Sequence, residues 1–149
     1  MSESIQPTRV LVVAEHPAPT PLLREAMRER AQRGAVRFLL LVPNPAAAEW
    51  HLDPNRRDRV RAARDELDGL LHHLVEEVGA PIEGTVSVRH YVMDAVEEAR
   101  RTYPFDEIII ETRPHPIGHR LHLDVVHQLG HLGVPVTPVF VEARTAQPA

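Results

Sequence analysis

The chain has 149 residues, 43% of them hydrophobic, with a formal net charge of -4 and no cysteine. That size and apolar content fit one compact domain with a sizeable core, and the lack of cysteine excludes disulfides, thiolate metal sites and thiol catalysis. There is no basic excess to neutralise a phosphate backbone, no signal-like leader and no apolar run of the roughly 18 residues a membrane span needs, so the expectation is a cytoplasmic protein that binds neither nucleic acid nor membrane.

The elements alternate regularly along the chain. Arg9 to Ala14, RVLVVA, is a nearly continuous aliphatic run, as expected of a strand buried on both faces. Residues 20 to 33 place Leu22, Leu23, Ala26, Met27 and Arg30 at helical spacing, with Thr20 as N-cap, Pro21 in the first turn and Gly34 just past the end. Val36 to Val42 is a second buried strand, followed by a Pro- and Asn-rich connection that carries the chain's single Trp, Trp50. Residues 58 to 78 hold Val60, Ala63, Leu67, Leu70, Leu71, Leu74, Val75 and Val78 on one stripe, a long surface helix. Ile82 to Val88 alternates like a half-buried strand at or near a sheet edge. Val92, Ala95, Val96, Ala99 and Tyr103 then mark a third helix, and Phe105 to Glu111, FDEIIIE, a third aliphatic core strand. A fourth helix is expected to begin at Gly118 or His119. Pro135 to Val141 closes the pattern, with Pro138 implying that one side of this strand faces solvent or a bulge. Residues 1 to 8 and 142 to 149 are expected to be tails.

Five strands alternating with four helices predict a single-domain α/β fold: an open, mostly parallel sheet covered on both faces, Rossmann-like. In such sheets ligands bind beyond the carboxyl ends of the strands where the strand order reverses. With a flavodoxin-like order, four segments fall there: Glu15 to Pro19, the end of the second strand at Val42 and Pro43 to Pro45, the helix start near Tyr91, and Thr112 to Arg120.

That last segment opens the histidine-rich run ETRPHPIGHRLHLDVVHQLGHLG, residues 111 to 133. His119 with His122, and His127 with His131, share helix faces, but His122 and His127 point about 140° apart, so the two pairs do not make one metal site. The expectation is no metal, with His127 and His131 packing or capping at the helix end and His119 and His122 solvated. The start of the fourth helix offers free N–H groups and a favourable dipole to an anion, with Arg113, Arg120 and His115 supplying charge. No Gly-x-Ser-x-Gly, His-Glu-x-x-His or Gly-Lys-Ser motif occurs. Glu15 and His16 are adjacent loop residues, better suited to lining a crevice than to acid–base work, so a non-enzymatic protein is expected. Trp50 and Tyr91 are candidates for stacking on a base.

Two stretches resemble the universal stress protein family. VRHYVMDAVEEARRTYPFDEIIIETR is similar to its third strand, helix and fourth strand, and HLGVPVTPVFV to its closing strand entry, where His131 and Pro135 match a His and a Pro. By element order the resemblance spans roughly residues 9 to 141. It implies the nucleotide-binding, adenine nucleotide alpha hydrolase-like version of the α/β fold. It further implies that Glu15 stands for an aspartate that contacts a ribose hydroxyl, and that Thr112 and Arg113 stand for a Ser-Arg pair. The family's glycine motif is degraded: Glu111 and Pro114 occupy its first two glycines, His122 and Leu123 its Gly-Ser pair, and neither Pro114 nor Pro116 has an N–H to offer a phosphate. The expected ligand is ATP, another adenine nucleotide or a similar phosphorylated molecule, held without a full triphosphate cradle. Its expected contacts are Glu15, His16, Val42, Pro43, Thr112, Arg113, His115, Gly118, His119 and Arg120. A second reading also stays open: a ligand-free module, homodimeric through the closing strand 135 to 141 as the resemblance suggests, that has lost ATP binding.

Overall fold

A computed structural model describes residues 6–43, 56–89, 91–112 and 119–141, with only the backbone described for 56 and 119–124. The expected tails beyond those limits, Trp50, and the loop residues Arg113, Pro114, His115, Pro116 and Gly118 lie outside the described residues. In chain order the elements are β1 (Thr8–Val13), α1 (Pro21–Gln32), β2 (Val36–Val42), α2 (Arg56–Val78), β3 (Ile82–Val86), α3 (Val92–Thr102), β4 (Glu107–Thr112), α4 (His119–Gly130) and β5 (Val136–Phe140).

All pairings are parallel, and the sheet runs β3-β2-β1-β4-β5. This departs from the flavodoxin-like order, in which β3 would lie beside β1. The cause is visible in the packing. Leu23 and Met27 of α1 share one buried cluster with Val60, Ala63, Leu67, Leu74 and Val78 of α2, so both helices cover the same sheet face. Right-handed crossovers on one face must step in one direction, which carries β3 outside β2. The return to β4 passes over the opposite face, where Ala95, Val96 and Ala99 of α3 and Leu129 of α4 pack on Leu11, Val13, Ile108 and Ile110. The strand order reverses between β1 and β4.

The central strands are aliphatic because both faces are covered: Val10, Val12 and Ala14 enter the α1/α2 cluster, and Leu11 and Val13 the α3/α4 cluster. Each such Val or Leu contributes about 1.5–3 kcal/mol by leaving water. Thr20 caps α1 as expected, its hydroxyl accepting from Leu23 N at 3.3 Å, with Pro21 following. Gly79, at φ +81°, ends α2 in the left-handed region that glycine adopts without strain, its N–H donating to Val75 O at 2.8 Å. Two stripe positions differ from expectation. Leu22 is 52% exposed, because it lies about 100° around the helix from the buried Leu23, and Tyr103 sits past the end of α3 rather than on its buried face.

β3 and β5 are the edge strands. In β5 the groups directed at β4 include Pro135 O and Val141 N, so by alternation Pro138 points to the free edge, where its missing N–H costs the sheet nothing. At the other edge, β3 lies so close under α2 that a Cβ on Gly84 would stand 2.8 Å from Leu67 Cδ2 and 3.2 Å from Leu71 Cδ1. Leu67 is fully buried and has nowhere to retreat. Gly84→Ala is therefore expected to lower stability by about 1–3 kcal/mol, the overpacking outweighing the strand propensity that alanine gains. A urea midpoint equal to or above that of the wild type would contradict this packing.

Candidate functional site

The site is built where the strand order reverses. β1 ends at Val13, and Ala14 N still donates to Leu41 O at 3.0 Å, so the chain leaves the sheet at Glu15. β4 ends at Thr112, whose carbonyl accepts from Val141 N at 2.8 Å. The β1–α1 loop and the chain leaving β4 are therefore neighbours in space, although roughly a hundred residues separate them in sequence.

Glu111 joins them. It is only 4% exposed. Its Oε1 accepts from Glu15 N at 3.0 Å, and its Oε2 from Thr20 N at 3.3 Å and from Thr20 Oγ1 at 2.7 Å. A buried carboxyl group is tolerable only when donors replace the water it has lost, and the loop's backbone supplies them. The Thr20 hydroxyl is used twice, donating to Glu111 and accepting from Leu23 N, so the start of α1 is fixed to the end of β4.

A second contact pins the other end of the same helix. Arg30 Nε and Nη2 each donate to a Glu107 carboxylate oxygen at 3.0 Å, with the Arg30 side chain only 12% exposed. This hydrogen bonding raises the Arg30 pKa above its ordinary value, against the opposing effect of burial. From Thr20 to Arg30 the helix rises about 15 Å, and from Glu107 to Glu111 the strand rises roughly 13 Å. The helix and strand are thus matched in length between their two ties.

The crevice chemistry follows from what the lock consumes. Pro17 and Pro19 carry no N–H, so residues 15 to 20 own four backbone donors, at Glu15, His16, Ala18 and Thr20. Glu111 takes those of Glu15 and Thr20. Glu15 is half-buried and His16 exposed. Val42 is fully buried and its carbonyl accepts from Ser87 N at 2.8 Å. Pro43 lies next to it, half-buried. Thr112 is 3% exposed. His119 and Arg120 open α4. The structure thus brings the carboxyl ends of β1, β2 and β4 to one end of the sheet, while Arg113, His115 and Gly118 lie outside the described residues. The β3–α3 connection reaches the same end, fastened by Arg89 N to Ser87 Oγ at 3.0 Å and Arg89 Nε to Glu98 Oε2 at 2.6 Å.

Farther along α4, His127 and His131 meet edge to face with ring centroids 4.9 Å apart, the packing expected of them at the helix end. No group of three or more His, Asp or Glu placed to hold a metal ion occurs among the described residues. No described helix is long and apolar enough to cross a membrane.

Solved structures share this arrangement. The universal stress protein from Archaeoglobus fulgidus in complex with dAMP superposes with a TM-score of 0.57 at 17% identity, covering 89% of this chain and 97% of that one. The chain has the universal stress protein fold. A universal stress protein family protein from Arabidopsis thaliana with AMP bound gives a TM-score of 0.56 at 16% identity, covering 96% of this chain and 97% of that one. No protein-family model and no curated protein sequence matches the chain.

Sequence reasoning placed Glu111 only as the replacement of a glycine and missed its structural task. The signal was present: an acid inside an otherwise aliphatic strand, in step with Ile109 and so on the α1/α2 face, must find donors there. Glu111→Ala should strand the Glu15 and Thr20 amides and the Thr20 hydroxyl, lowering stability by about 1–3 kcal/mol, with faster amide exchange at Glu15 and Thr20 than elsewhere in β1 and α1. Unchanged exchange at those two amides would refute the lock.

Proposed function

We propose that the chain is a non-catalytic regulatory domain of universal stress protein type, residues 9 to 141 with short tails, that binds an adenine nucleotide or similar phosphorylated molecule in the cytoplasm. The observation that carries this reading is the reversal of strand order between β1 and β4, the position at which open parallel sheets bind ligands, with the β1–α1 loop beside it held by Glu111. Glu15 accepts from ribose hydroxyls. Val42 and Pro43 form the neighbouring edge. Thr112, Arg113, His115, Gly118, His119 and Arg120 hold phosphate, beside the start of α4, whose dipole favours an anion. The two similar structures contain dAMP and AMP, ligands with a single phosphate, which suits a site whose β1 side has the Glu15 and Thr20 donors engaged by Glu111.

The measurement is thermal unfolding with AMP, dAMP, ADP and ATP. At a hundredfold excess over Kd the ligand stabilises by about 2.7 kcal/mol, a rise in Tm of roughly 5–10 °C for a domain of this size. The rise is expected to be as large for AMP as for ATP and to vanish in Arg113→Ala. No rise with any of the four at millimolar concentration would overturn the proposal.

The free edge of β5 favours a second property, association of two copies. Phe140 is 53% exposed there, and Val136 and Val139 are only half-buried. Because Pro138 removes one edge donor, pairing of two such edges relies on side chains more than on a complete ladder. Sedimentation velocity is expected to show a dimer that Phe140→Asp converts to monomer, and a wild-type monomer at about 100 μM would refute it.

A further inference from the structure

At the amino-terminal end of the sheet, opposite the crevice, a cavity of about 320 Å3 opens between the starts of β1, β2 and β3 and the turn from α3 to β4. Its lining includes Arg9, Arg37, Glu83, Tyr103, Pro104 and Phe105. Arg9 and Arg37 are in step with Leu11 and Leu39, two residues on, and Glu83 alternates with Ile82, so all three charged residues belong to the α3/α4 face. The register pairs Arg9 with Arg37 and Leu39 with Glu83, which sets Glu83 one diagonal step from Arg37.

These charges are not equivalent. Asp106 engages Arg9 twice, its Oδ2 accepting from Arg9 N at 2.9 Å and lying 3.9 Å from Arg9 Nε. Arg37 and Glu83 make no ion pair or side-chain hydrogen bond, with each other or with any other described residue. A cation and an anion thus line one small space without neutralising each other. The remainder of the wall is apolar and aromatic, and Tyr103 leaves 43% of its surface uncovered. Cavities near 300 Å3 are at the small end of ligand sites, too small for a nucleotide and its phosphates but adequate for an amino acid.

We propose that this cavity binds a small zwitterion with an apolar body, an α-amino acid with an aromatic or aliphatic side chain. The Arg37 guanidinium takes the carboxylate through paired N–H donors, Glu83 accepts from the ammonium group, and the ligand's side chain lies against Phe105, Tyr103 and Pro104. The site lies at the opposite end of the sheet from the nucleotide crevice, so either can fail without the other.

The test is an NMR titration of isotope-labelled protein with L-phenylalanine, using phenylacetate and phenethylamine as single-charge controls. Saturable amide shifts are expected at residues 37–39, at Ile82 and Glu83, and at Thr102, Tyr103 and Phe105, with affinity at least about tenfold weaker for each control and in each of Arg37→Met and Glu83→Gln. Both side chains are exposed, so the variants should keep the wild-type spectrum away from the cavity. Absence of saturable shifts up to about 10 mM, shifts centred elsewhere, a control that binds as well as phenylalanine, or full affinity in either variant would each overturn the assignment.

Discussion

The buried carboxyl group of Glu111 is the constraint on which the switch-point end of this molecule depends. Leaving it without donors would cost several kcal/mol, and the donors it uses all belong to the β1–α1 loop and the first residue before α1. The loop must therefore fold back over the end of β4. Because Thr20 both caps α1 and donates to Glu111, the start of the helix cannot shift without breaking the cap. With Arg30 held on Glu107 at the other end of the same strand, α1 is tied at two points over a shared apolar middle that includes Ile109. Two acids four residues apart on β4 thus place the whole helix, and through it the crevice wall.

How much of this the sequence disclosed depends on the range of the interaction. Strands, helices and caps were readable to within a residue or two, because alternation, helical spacing, Thr20-Pro21 and the glycine after α1 are local signals. Strand order was not. Whether β3 lies beside β1 or beyond β2 turns on which sheet face α2 covers, and an amphipathic stripe looks the same on either face. The partner of Glu111 was hidden for a related reason. Its bonds to Glu15 and Thr20 span 96 and 91 residues, and no spacing rule reaches that far. The candidate site divides in the same way. Glu15, His16, Val42, Pro43 and Thr112 gather at one end of the sheet because each follows or ends a strand, which periodicity predicts. The task of Glu111 needed the strand order as well.

The lock also explains how the crevice can differ from a glycine-lined one while keeping the same fold. A glycine at the end of β4 lets backbone N–H groups turn toward a phosphate. A glutamate there reverses the arrangement, since it draws the opposing loop's N–H groups to itself. Pro17 and Pro19 reinforce that change by removing two further N–H groups from the β1 side. On the proposed reading Glu15 meets ribose hydroxyls on the β1 side, and an anion is met from the β4–α4 side. On the proposed reading, specificity then comes from this division, with a sugar against one wall and a single phosphate at the other. On that reading Glu111, standing where the resemblance puts a glycine, makes both the tie of α1 and the engagement of two β1-side donors consequences of one residue.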